Sequence, residues 1–320
     1  MYYRLVFVFL LLASSLCSWG QAGTLARKDQ QALQEAELRM AILVETVYTD
    51  SSAEVRFQAC RDLIRELVTA LDRPNSFAYP FDQLPGLSIQ YAPDRSFRIF
   101  SWELMVDRDG YRHYGAVQKN SKQLELEALV DRGDGWLKNP ENAVVGASNW
   151  LGYVVYTIVA GGTYDGRSYY FVLGYDSYEA YRRRKVLDVL HFDEAGKAVF
   201  GLPVFHTYTD SDLLLLDRAR MIMVYGAEAT MALRYDAELG GIVYENLLMV
   251  PGNYGEGPVN MPDGSYNLLV LGEDGMWREN AQVFTHTYEE APREVPLPGG
   301  GRDLLGRPDS SRVKDGGGDK

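Results

Sequence analysis

Four histidines, two cysteines and forty-four acidic residues are the groups in this chain best suited to chemistry, and their spacing limits what chemistry is open to them. His113, His191, His206 and His286 are too dispersed for an HExxH helix or any paired ligand spacing, so no metal site is expected from sequence. His191 and His206 flank one hairpin and are the pair in which to look first for a site assembled from separate strands. Gly161-Gly162-Thr163-Tyr164-Asp165-Gly166-Arg167-Ser168 has the spacing of a phosphate-binding loop, with arginine in place of the lysine. Such a loop works because a helix opens after the glycines and offers free amides. Here Tyr169-Tyr170-Phe171-Val172-Leu173 continues as a β pattern and Asp165 would repel phosphate, so the segment reads as a hairpin turn.

Gly146-Ala147-Ser148-Asn149-Trp150 approaches a nucleophile elbow but has tryptophan where the tight turn needs glycine, and no helix pattern follows. Ser148 is read as a loop serine. Asp107-Arg108-Asp109-Gly110 resembles part of a calcium loop but lacks a third ligand position and the late glutamate, so it reads as a charged hairpin turn. Arg132-Gly133-Asp134 falls in another turn. No recognisable catalytic motif emerges, and no cofactor is expected.

The concentrated positive run is Arg182-Arg183-Arg184-Lys185, preceded by Tyr178 and Tyr181. Guanidinium groups hold anionic partners through paired hydrogen bonds, and tyrosine serves both interfaces and sugar stacking. Tyr178, Tyr181, Arg182, Arg183 and Arg184 are therefore the candidate binding residues, set against the simpler account of a solvated turn between strands. Cys60 shares a helical stripe with Leu63, Leu67 and Leu71, which predicts a buried structural thiol.

The elements that must position these groups follow from periodicity. Residues 23–75 read as a helical hairpin: Leu33, Ala36, Met40, Leu43 and Val47 form one apolar stripe, and Ser51-Ser52-Ala53-Glu54 can cap the second helix before Pro74. From Phe77 the period becomes two. Strand patterns run over 97–104, 124–130, 153–159, 169–173, 186–192, 221–225, 232–235, 242–244 and 266–271. Turn signals separate them, including Asp109-Gly110, Asp134-Gly135, Asp165-Gly166, Gly240-Gly241, Asp263-Gly264 and Asp274-Gly275. The fold class expected is α+β, with the N-terminal antiparallel helical hairpin packed on a large, mostly antiparallel β body over 76–288 as one domain. Residues 289–320, rich in glycine, proline and charge, read as a disordered tail.

Residues 1–22 read as a secretory signal peptide: Arg4, an apolar run from Leu5 to Ala13, and small residues near Ala22. Its removal leaves Cys60 as the sole thiol and makes the net charge one unit more negative than −12. That balance argues against nucleic acid and membrane-surface partners. No transmembrane segment is expected after cleavage, and lone-cysteine usage with no glycosylation sequon favours a bacterial envelope protein, periplasmic or secreted.

The segments Pro140-Glu141-Asn142-Ala143-Val144, Asn149-Trp150-Leu151-Gly152, 171–176, 226–236 and 262–266 resemble those of uncharacterised exported proteins of Bacteroidota-type bacteria, over roughly residues 76–280. The resemblance implies export and brings no activity, cofactor or site residue with it. The function expected is a non-enzymatic module binding an envelope protein or a glycan. The alternative is a hydrolase of an envelope or extracellular polymer, using carboxylates from separate strands.

Overall fold

The computed structural model describes residues 23–132, 139–208, 214–252 and 255–284. The expected leader (1–22) and tail (289–320), the Asp134-Gly135 turn and His286 lie outside the described residues. The α+β reading holds: two N-terminal helices are followed by large, mostly antiparallel sheets.

Helices α1 (Arg27–Thr49) and α2 (Ala53–Leu71) run antiparallel, tied across their outer faces by Arg73–Asp29 at 3.3 Å and by an Arg39–Glu66 pair. The cap of α2 is Ser52, whose side chain accepts from the Val55 amide at 3.5 Å. The expected box from Ser51 to Glu54 is therefore shifted by one residue, and Glu54 serves the helix dipole in the first turn instead. Cys60 is buried against Trp102, whose indole nitrogen lies 3.4 Å from its sulfur, and burial pushes the thiol pKa up. This is the structural thiol expected.

Three sheets follow. The first has the order β1-β2-β3-β4, from β1 (Ser88–Tyr91), β2 (Phe97–Met105), β3 (Tyr111–Lys119) and β4 (Leu126–Val130). The second has the order β5-β9-β8-β7-β6, from β5 (Val145–Gly146), β6 (Val154–Tyr164), β7 (Arg167–Asp176), β8 (Arg182–Phe192) and β9 (Ala198–Phe200). The third joins β10 (Phe205–Tyr208), β11 (Leu214–Arg218), β13 (Leu233–Asp236), β14 (Gly241–Pro251), β15 (Pro258–Leu271) and β16 (Trp277–Phe284). β12 (Met221–Gly226) pairs with β8, and the β10–β16 pairing is parallel.

Alternation along the strands sorts these elements into layers. On β2, Phe100, Trp102 and Leu104 pack on the helices, while Phe97 and Ile99 face the second sheet with Val117 of β3. The second sheet answers with Val155, Val172, Val186 and Leu190. Its other face, including Phe171, Leu173, Leu187 and Val189, meets Phe205, Ile242, Leu269 and Trp277 of the third sheet. The order is helices, first sheet, second sheet, third sheet, and each layer boundary is an apolar core.

Several polar groups buried at these boundaries are paired across them. Ser101 Oγ accepts from the Val155 amide at 2.9 Å, and Arg220 and Asp188, both fully buried, pair at 3.0 Å beside the Tyr153 hydroxyl. Gly174 allows the Tyr153 ring to lie where a Cβ would come within 2.3 Å of it.

The Gly161–Ser168 segment is a β-hairpin. Asp165 (φ 48°) and Gly166 (φ 74°) make the turn from β6 to β7, with both residues at the positive φ such a turn requires. Asp263-Gly264, expected as a turn, lies inside β15. There Asp263 Oδ1 accepts from the backbone and hydroxyl of Ser265, holding an irregularity in an otherwise continuous strand. β3 was not anticipated, because Gly115 and its polar residues conceal the alternation, although it is a nine-residue strand.

Candidate functional site

The start of β2 and the end of β8 frame an open cleft of about 800 Å³. Its floor is aromatic. Phe97 meets the Tyr170 ring edge-on at 4.9 Å and the Phe192 ring at 5.2 Å, so three rings from β2, β7 and β8 form one cluster. Phe97 is closed off, whereas Tyr170 and Phe192 remain half-buried.

The rim is polar and fixed. Tyr170 donates its hydroxyl to Asp94 Oδ2 at 2.7 Å, while Asp94 Oδ1 accepts from the Ser96 amide at 3.1 Å and its hydroxyl at 2.7 Å. Burial alone would raise the Asp94 pKa, but the bonds from Ser96 and Tyr170 outweigh it and hold the carboxyl below its ordinary range. Arg95 (φ 59°) closes the β1–β2 turn with its guanidinium 4.2 Å over Tyr91. Lys119 lies 5.2 Å over the Phe192 ring and donates to the Gly196 carbonyl. Arg167 reaches Glu194 at 3.1 Å. The lining holds three acids (Asp94, Asp193, Glu194) and three bases (Arg95, Lys119, Arg167). It is locally balanced on a chain of net charge −12.

The expected binding run is divided between two faces. Arg182, Arg183 and Arg184 open β8, so successive side chains diverge. Arg184 is buried, donates from Nε to Asp176 Oδ2 at 2.8 Å, and lies 4.5 Å over the Tyr178 ring. Arg183 Nη1 donates to the carbonyl of Ser177 at 3.0 Å and Arg182 Nε pairs with Glu179 at 3.1 Å. Tyr181, exposed, borders a separate hollow of about 300 Å³ beside Glu228 and Met261.

His191 and His206 belong to different sheets. His191 sits on β8, where burial lowers its pKa, and His206 on β10 lies 3.5 Å from Arg278. Among the described residues the histidine that gathers carboxylates is His113. It is 5% exposed and faces Glu103 at 3.5 Å, Asp131 at 3.4 Å and Asp176 at 3.2 Å. Burial would lower its pKa, but the carboxylates of Asp131, Asp176 and Glu103 outweigh burial and raise it well above 6.5. Glu103 and His113 are direct partners across the β2–β3 hairpin, as Asp176 and Arg184 are across β7–β8. Spacing about Arg108 was the signal that could have paired the first two; nothing local pointed to Asp176.

Ser148 is exposed in a short 3-10 turn followed by extended chain, and its carbonyl accepts from Arg132 at 3.1 Å. It has neither a helix behind it nor an elbow's strained turn. No protein-family model matches the chain, and no curated protein matches it in sequence. No helix among the described residues is long and apolar enough to cross a membrane.

Proposed function

We propose that this is an exported bacterial envelope protein, periplasmic or secreted, that binds a glycan in the cleft between β2 and β8. The observation that carries this reading is an aromatic floor with two half-buried rings, Tyr170 and Phe192, inside a rim of balanced, already hydrogen-bonded charges. Sugars present apolar ring faces edged by hydroxyls. Aromatic faces cover the former, while carboxylates and guanidinium groups bond the latter. Balanced charge suits a neutral or weakly charged saccharide better than a polyanion. Residues 1–22 supply the export expectation.

The hydrolase alternative draws less support. The carboxylates gathered from separate strands, Glu103, Asp131 and Asp176, are largely buried, and Asp94 in the cleft is committed to Ser96 and Tyr170. Titration calorimetry of the secreted form against envelope oligosaccharides tests the binding reading. Tyr170→Ala and Phe192→Ala should each weaken binding at least tenfold while leaving the protein folded. Saccharide binding indifferent to both changes, or no saccharide binding by a folded protein, would overturn it.

A further inference from the structure

The geometry points to a divalent transition-metal site of the zinc class at the far end of the same strands, ligated by His113 Nε2, Glu103 Oε2 and Asp176 Oδ1. These three donor groups lie within 4.8 Å of one another in a nearly closed space. Nε2 is 3.2 Å from Asp176 Oδ1 and 3.5 Å from Glu103 Oε2, yet it makes an aligned hydrogen bond with neither. Donors around a tetrahedral ion at about 2.0–2.1 Å are separated by about 3.3 Å. The two distances bracket that value.

Each ligand is held by a partner on its other side. The Asp131 carboxylate accepts from the His113 backbone amide at 2.8 Å and lies 3.4 Å from Nδ1. A proton on Nδ1, held toward Asp131, leaves the Nε2 lone pair aimed at two carboxylate oxygens. That arrangement is repulsive unless a second ring proton or a metal ion lies between them. A proton on Nε2 serves one oxygen at a time, and neither is in line with it; a metal ion serves all three. Carboxylate behind imidazole is also the arrangement that orients a histidine ligand. Each carboxylate is also fixed by donors: Glu103 Oε1 accepts the Ser177 hydroxyl at 2.6 Å and Oε2 the Ser177 amide at 3.3 Å, while Asp176 Oδ2 accepts from Arg184 and Oδ1 from the Tyr178 amide, both at 2.8 Å, so each ligand oxygen keeps one lone pair for an ion. An imidazole in the set disfavours calcium and magnesium, which prefer oxygen. With the ion in place of the Nε2 proton, two carboxylates and a neutral imidazole carry a charge that a divalent ion balances. Because Glu103 and His113 come from the first sheet and Asp176 from the second, a bound ion would act as a strut between the layers.

The full chain, stripped with a chelator and dialysed, should take up about one zinc per molecule by elemental analysis. Cobalt should give the visible bands of a low-coordinate nitrogen and oxygen site, and zinc should raise the unfolding temperature. Glu103→Gln retains an acceptor for Ser177, so the layer contact survives while a charged ligand is lost; it should weaken cobalt binding at least tenfold with an unchanged circular-dichroism spectrum. His113→Gln should abolish the visible bands. A folded wild-type chain that takes up neither metal overturns the assignment, as does cobalt binding that Glu103→Gln leaves unchanged, which would place the ion elsewhere on the chain.

Discussion

The strands β2, β3, β7 and β8 carry one kind of polar chemistry at one end and another at the other. Phe97, Lys119, Tyr170 and Phe192 mark the open end, while Glu103, His113, Asp176 and Arg184 mark the closed one. From Phe97 to Glu103 is six residues, about 20 Å of extended chain. In the cleft the charges are balanced, and Arg167 and Glu194 stay in water, where an ion pair contributes little. In the cluster they are largely out of water, and each must be matched by a specific partner. The first arrangement leaves surface available to a ligand; the second consumes its polar groups in holding two sheets together.

The change that should separate the two ends most widely is Asp176→Ala. It leaves Arg184 and His113 buried without their shared carboxylate. Breaking a buried pair from one side costs about 3–5 kcal/mol, so the denaturant midpoint should fall by a large fraction of the total stability. Glycan affinity of whatever remains folded should be unaltered. A midpoint within error of wild type would mean that water already reaches the cluster, and the contrast between open and closed ends would fail.

Tyr170→Phe is the converse and should cost less. It retains the ring against Phe97 and removes only the hydroxyl on Asp94. A partly exposed hydrogen bond of this kind contributes about 1 kcal/mol, so stability should change slightly. Saccharide affinity should fall less than in Tyr170→Ala, because stacking persists. Equal losses in the two variants would assign the binding energy to the hydroxyl rather than to the aromatic face.

How much of this was legible beforehand depended on sequence distance. The helical hairpin, the apolar stripe holding Cys60 and the turn at Asp165-Gly166 rest on residues within a few positions of one another, and periodicity revealed them. The cleft joins a β1–β2 turn to a β8–β9 turn almost a hundred residues later, which no local pattern encodes. The arginine run was visible, but its meaning was set by pairing: alternation along β8 turned Arg184 inward, where register placed it opposite Asp176. Glu103 and His113 were half legible, since a hairpin centred on Arg108 places them face to face. Recognising that required β3 as a strand, and Gly115 among polar residues hid it.

The smallest effect is the one that best tests whether the cleft is electrostatically independent of the rest. Asp94 is held below the ordinary carboxyl range of 3.8 by Ser96 and Tyr170, despite the opposing effect of burial. A depressed folded-state pKa means that the ionised group favours the native state above the unfolded value, and that this contribution is lost as pH falls through the folded value. Asp94→Asn keeps an acceptor but cannot ionise. The variant should therefore be slightly less stable than wild type at pH 7, and the difference should shrink as the pH is taken below 3.8. Paired denaturant midpoints at pH 7 and pH 3 read this directly. Comparing the two proteins at each pH cancels the protonation of carboxylates elsewhere, provided the cleft does not couple to the closed cluster about 20 Å of strand away. A difference that widens in acid would show that it does couple, and the two ends would have to be treated as one network.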